Sequence, residues 1–137
     1  MRVVVTDDLE TALDIRRIVF MDEQGISLEE EVDGLDADAI QLLAFDGESA
    51  VGTARILING ESGKIGRVAV LKDARGKGFG KALIEAAVAE IRRRGCTLAE
   101  LGARSDAAGF YEPRGFKAVG PEFMDAGYPH QKMVLSL

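Results

Sequence analysis

A single cysteine, Cys96, rules out an internal disulfide in this chain of 137 residues, and one cysteine with one histidine, His130, cannot build a zinc site of the usual composition. The acidic stretch Asp33-Gly34-Leu35-Asp36-Ala37-Asp38 does not supply a calcium loop either. Leu35 and Ala37 occupy ligand positions, and Ala44 stands where the closing glutamate belongs. No metal is expected. No apolar run approaches the roughly 18 residues of a membrane span, and Met1-Arg2-Val3-Val4-Val5 meets Asp7 too soon to be a secretory core. The expectation is a cytoplasmic chain with no membrane partner.

Basic residues are missing from one long interval. Between Ile18 and Ala54 there is no Lys or Arg, whereas Asp22, Glu23, Glu29, Glu30, Glu31, Asp33, Asp36, Asp38, Asp46 and Glu48 all fall there. From Lys64 to Lys81 the balance inverts, with Lys64, Arg67, Lys72, Arg75, Lys77 and Lys81 against Asp73 alone. The net charge of −6 argues against general nucleic-acid binding, and the basic stretch suits a local polyanionic ligand. The acidic interval is either a solvated loop or one wall of a site that attracts a cation over about 8 Å, the screening length at physiological salt.

Apolar residues make up 47% of the chain, enough for one domain over 1–137 that buries about two thirds of its unfolded surface. Arg2 to Thr6 reads as an edge strand, and Asp7-x-x-Glu10 as a capping-box-like helix start followed by Leu9, Leu13 and Phe20 at helical spacing. Residues 25–38 read as irregular. Strands are expected over 41–46, 51–58 and 64–70, the last two joined at the turn signal Asn59-Gly60. A helix follows from Gly80 to Arg94, with Leu83, Ala87, Val88 and Ile91 on one face and Gly95 ending it. Residues 97–102 form a fifth strand and 106–112 a short helix stopped near Pro113. Strands over 116–119 and 130–137 complete a mixed α/β sheet.

Between strand 64–70 and that helix lies Arg75-Gly76-Lys77-Gly78-Phe79-Gly80. Its three glycines in five positions let the chain turn sharply and remove the β-carbons that would keep an anion from the amide hydrogens. The helix that follows begins with unpaired N–H groups and a partial positive charge. Two familiar phosphate loops do not fit. A mononucleotide loop needs Gly-Lys-Ser/Thr, but Ala82 follows Gly80-Lys81, and Arg75 fills its first glycine position. In the dinucleotide fingerprint counted from Gly76 and Gly78, Lys81 replaces the last glycine.

The spacing that remains, Arg75-x-x-Gly78-x-Gly80, resembles the pyrophosphate loop of the GNAT N-acetyltransferase superfamily, Gln/Arg-x-x-Gly-x-Gly/Ala between the fourth strand and third helix. Phe110-Tyr111-Glu112-Pro113-Arg114-Gly115-Phe116 resembles that family's second signature, Tyr-Glu-x-x-Gly-Phe. The stretches 19–25 and 123–130 are similar to the small bacterial ElaA-like and YjcF-like branch. The resemblance implies a GNAT fold: about six to seven mostly antiparallel strands, splayed between the fourth and fifth, flanked by about four helices.

It further implies acetyl-CoA as co-substrate and transfer of the acetyl group to a primary amine of a small molecule or peptide in a ternary complex. The competing reading is a silent acyl-CoA-binding module. Val68, Ala69 and Val70 would pair with the pantetheine arm and offer an oxyanion donor. Arg75, Gly76, Lys77, Gly78, Phe79, Gly80 and Lys81 would hold the pyrophosphate, with Phe110 also on the cofactor. Tyr111 would be the acid toward the leaving thiolate, and Glu23 or His130 the base. Cys96 reads as a buried filler rather than a nucleophile. Arg104 stands where many members place an asparagine that contacts the arm. The expected partner is an amine acceptor of cationic character; a homodimer is compatible with the sequence.

Overall fold

The computed structural model describes residues 1–137. Seven strands form one sheet in the order β1-β2-β3-β4-β5-β7-β6: β1 (Arg2–Thr6), β2 (Ile40–Asp46), β3 (Ser49–Asn59), β4 (Ser62–Val70), β5 (Leu98–Arg104), β6 (Lys117–Asp125) and β7 (Tyr128–Ser136). Every neighbouring pair is antiparallel except β4 and β5. That parallel pair is joined by the crossover helix α3 (Phe79–Arg93), as a parallel connection requires.

Alternation along the strands separates two cores. Leu42, Ile56, Ile65, Ala99, Leu101 and Ala103 bury one face against Leu83, Ala87 and Ile91 of α3. The opposite face holds Leu43 and Ala69, covered by Ala12, Ile15 and Val19. These last residues belong to α1 (Leu9–Arg16) and to the wider π-helical turn, Arg17–Glu23, that continues it. No such helix covers this second face over β5, β7 and β6, where Phe123 and Tyr128 are exposed.

Several expectations are corrected. The cap of α1 is Asp8, not Asp7: Asp8 accepts from the Thr11 amide at 3.1 Å and from its hydroxyl at 2.7 Å, so Glu10 has no capping part. A threonine three residues on offers Asp8 two donors, which the glutamate of a capping box does not. The stretch 25–38 contains a short helix, α2 (Leu28–Glu31), capped by Ser27, and a 3₁₀ turn at Asp36–Asp38. Strand β6 continues six residues beyond Val119, because a bulge at Gly120-Pro121-Glu122 restores pairing at Phe123. Gln131 closes that bulge by donating to the carbonyls of Val119 and Gly120 at 3.2 and 2.8 Å. The helix expected over 106–112 is reduced to α4 (Ala108–Tyr111) between 3₁₀ turns.

Candidate active site

The parallel pair opens midway. Ser62–Ile65 pair with Leu98–Leu101, but beyond Ile65 no strand lies beside that edge of β4. The separation coincides with a bulge: Thr53 pairs with Ala69 and Arg55 with Gly66, so Ala54 faces both Arg67 and Val68. Arg67 adopts φ 52°, a left-handed conformation uncommon for a residue with a β-carbon. An extra residue of this kind bends the strand and leaves ladder groups unpaired, so the edge Gly66–Val70, including Val68, Ala69 and Val70, faces an opening rather than a neighbour.

At the end of β4 the chain turns through Gly76 (φ 77°) and Gly78 (φ 91°) into α3. Gly78 is the N-cap and offers no side chain. The amides of Gly76, Lys77, Gly78, Phe79, Gly80 and Lys81 find no acceptor in the chain; the first paired one is Ala82, bonded to the Gly78 carbonyl at 3.0 Å. Six consecutive free donors at the start of a 15-residue helix are the arrangement that favours an anion. Phe79 is buried in the core and anchors the turn, whereas Lys77 and Lys81 are exposed at its rim. The sequence does not disclose the part taken by Arg75. Its Nε donates to the Val70 carbonyl at 2.9 Å and its Nη2 to Glu23 at 2.8 Å, so it ties the cradle to β4 and to the end of the π turn.

The opening joins the two faces of the sheet. On the α3 side, Tyr111 packs edge-on against Phe110 and Phe116, with ring centroids 5.0 and 5.9 Å away. Burial raises its phenol above the ordinary value, against a smaller opposing effect of Arg114, and its hydroxyl bonds to no protein group. Phe110 itself is exposed and stacked by the Arg114 guanidinium at 4.0 Å.

On the opposite side, His130 of β7 pairs with Arg104, the last residue of β5, and residues paired across an antiparallel ladder share a face. Ala99, Leu101 and Ala103 turn toward α3, so Arg104 and His130 turn away from it. His130 Nδ1 lies 2.9 Å from the Tyr128 carbonyl. A carbonyl only accepts, so in the neutral ring Nδ1 carries the proton and Nε2 keeps its lone pair. Arg104 stacks on Tyr128 at 4.1 Å and pairs with Asp106 at 3.1 Å. Beside it, Ser105 donates to Glu122 of the β6 bulge at 2.6 Å; sequence reasoning missed this carboxylate because only the bulge brings it there. Thus Glu23 and His130 flank the C-terminal ends of β4 and β5, with Tyr111 following β5 on the other face.

The acidic interval proves to be neither an idle loop nor wholly free. Glu31, Asp33 and Asp36 meet Arg16, Arg55 and Arg67 in a cluster of three carboxylates and three guanidinium groups. Arg16 is fully buried and Glu31 nearly so. A hydrogen bond from Arg55 holds Asp33 far below the usual carboxylate range. Asp36 is also lowered, because bonds from Arg16, Gln41 and Arg55 outweigh its burial. These three acids are matched internally, Asp22 and Glu23 pair at the surface with Arg17 and Arg75, and Glu29, Glu30, Asp38, Asp46 and Glu48 are left for any outward field. Cys96 is a buried core residue, as expected.

The acetyltransferase (GNAT) domain model matches residues 19–137. A Bacillus subtilis protein described as an acetyltransferase by inference is 37% identical over 135 residues, 96% of this chain and 92% of that one. The uncharacterized N-acetyltransferase YjcF of Bacillus subtilis is 33% identical over 129 residues, 93% of this chain and 92% of that one. The crystal structure of Escherichia coli ElaA superposes with a TM-score of 0.87 at 26% identity, covering 98% of this chain and 99% of that one. A sheet splayed beside a glycine-rich anion cradle, matched by relatives along nearly its whole length, makes this chain a member of the GNAT acetyltransferase family, and an acyltransferase.

Proposed function

We propose that the protein transfers the acetyl group of acetyl-CoA to a primary amine of a small molecule or peptide, by direct attack of the amine within a ternary complex. The observation that carries this reading is the row of six unpaired amides, Gly76 to Lys81, next to a strand edge with no neighbour. The cradle would take the pyrophosphate, and the Val68–Val70 edge would pair with the amide-bearing arm. One amide of that edge would donate to the thioester oxygen as it becomes negative, a contribution of about 2.7 to 4 kcal/mol in such sites.

The amine would approach from the face that α1 leaves open. His130 is the preferred proton acceptor, because Nε2 is its free nitrogen whereas the Glu23 carboxylate is engaged by Arg75 at 2.8 Å. Tyr111, kept protonated by burial, would donate a hydrogen bond to the departing sulfur. Reference values near 10 for a phenol and 8.5 for a thiol make full transfer to the thiolate uphill, so Tyr111 would stabilise the thiolate while the amine's proton passes to His130, and the thiolate would take its own proton from solvent as coenzyme A leaves. Acidic groups without an internal partner, Glu29, Glu30 and Asp38 among them, favour a cationic acceptor.

Release of free thiol from acetyl-CoA, followed across a panel of amines and short peptides, tests the reading. An active amine should be acetylated, and Tyr111→Phe should lower turnover about a hundredfold with coenzyme A affinity unchanged. Turnover unaffected by Tyr111→Phe would remove the tyrosine from its assigned place.

A further inference from the structure

We propose that Arg67 is a positioning residue whose side chain latches the acidic segment 30–33 to the bulge of β4, so that the rim of the acceptor face and the strand edge facing the opening are held as one unit. Its functional weight rests on the reading of that edge as the cofactor-binding strand.

The bulge is strained. A residue with a β-carbon at φ 52° is disfavoured and persists only where its surroundings over-determine it. The surroundings here are specific. Arg67 Nε donates to the Glu31 carbonyl at 3.3 Å, and Nη2 donates to the carbonyls of Glu30 and Glu31 at 3.2 and 3.1 Å and to the Asp33 carboxylate at 3.2 Å. One guanidinium thus holds three residues more than 30 positions earlier in the chain. The segment cannot drift from the other side either, since Arg55 grips Asp33 and Arg16 grips Glu31 and Asp36. Burial and the neighbouring Arg55 work against the charge of Arg67, so its contacts offset a real penalty.

A latch predicts coupling that a merely local salt bridge does not. Asp33→Asn alters no atom of β4, yet it should loosen the bulge. Arg67→Gly accepts a positive φ freely, so a bulge set by the backbone alone should survive it.

Hydrogen exchange of backbone amides, measured on the ligand-free chain, decides between these. Arg67→Met, Arg67→Gly and Asp33→Asn should each speed exchange tenfold or more in both 28–33 and 66–70, with β2 unchanged. Arg67→Lys, which keeps the charge but not the fork, should fall between. Wild-type exchange at 66–70 in Arg67→Gly, acceleration confined to 28–33 in Asp33→Asn, or uniform acceleration through the sheet would each overturn the latch. In the thiol-release assay, Arg67→Met should lower kcat at least tenfold and weaken coenzyme A binding as well, with Arg67→Lys restoring part of both, because the loosened Val68–Val70 edge is the one read as pairing with the pantetheine arm. Should no amine prove active, the exchange data still settle the latch while the acetyl-transfer reading falls separately.

Discussion

Replacing Gly78 by alanine or valine probes the cradle, and its cost can be worked from geometry. Gly78 sits at φ 91°, and a β-carbon there would meet only Met1 Cε at 3.7 Å. The obstacle is therefore conformation, not room. Holding an L-residue in the left-handed region costs roughly 1–2 kcal/mol, more for β-branched valine.

The variant has two ways to respond. If α3, anchored by buried Phe79, Leu83 and Ile84, enforces the turn, the strain appears as lost stability, about 3 to 8 °C in Tm. If the turn relaxes to negative φ, stability survives but the amides on either side of residue 78 no longer converge. Losing two charge-assisted bonds of about 1.5–3 kcal/mol each would weaken coenzyme A binding more than a hundredfold, at 1.4 kcal/mol per factor of ten. Calorimetric titration of coenzyme A paired with thermal denaturation distinguishes the two. Alanine and valine variants with both affinity and Tm at wild-type values would refute the assignment of this turn as the anion site.

Further outcomes follow from packing and charge. A β-carbon on Gly63 would lie 2.6 Å from Ile91 Cγ1, so Gly63→Ala should destabilise by about 1–3 kcal/mol in urea denaturation, and the same substitution should cost less in an Ile91→Ala background, which lacks the crowding γ- and δ-carbons. Glu90 is lowered to about 2 by hydrogen bonds from Arg93 and Arg94, so its folded-state value lies below its unfolded one. The stability it contributes is accordingly present above pH 4.5 and fades as pH falls toward about 2; the gap between wild type and Glu90→Gln in thermal melts should be constant from neutrality and narrow below that point. His130→Gln should abolish most thiol release without changing coenzyme A affinity, whereas equal activity would return the proton-accepting part to Glu23 or to water.

The legible parts of this molecule are those that depend on neighbouring residues. The cradle is readable at Arg75 to Gly80 because a sharp turn and close anion approach demand glycine at those positions, and α3 is readable because Leu83, Ala87 and Ile91 recur along one face. What stayed hidden is set by pairing across the chain. Nothing local marks Arg67 as a left-handed bulge residue: the position holds arginine where glycine would advertise it, and the reason lies at residues 30–33. The acidic interval is similar. Read alone it is a charge run for water or a cation, yet three of its carboxylates answer arginines 15 to 36 positions away in sequence. Removing one member of such a buried set leaves an uncompensated charge and costs far more than the pair contributes. The absence of basic residues from 18 to 54 is thus complementary to Arg16, Arg55 and Arg67, which stand outside the interval and close on it from β3, β4 and α1. A charge pattern that suggests a ligand when counted along the chain becomes, once the strands are paired, part of what holds the splayed edge in place.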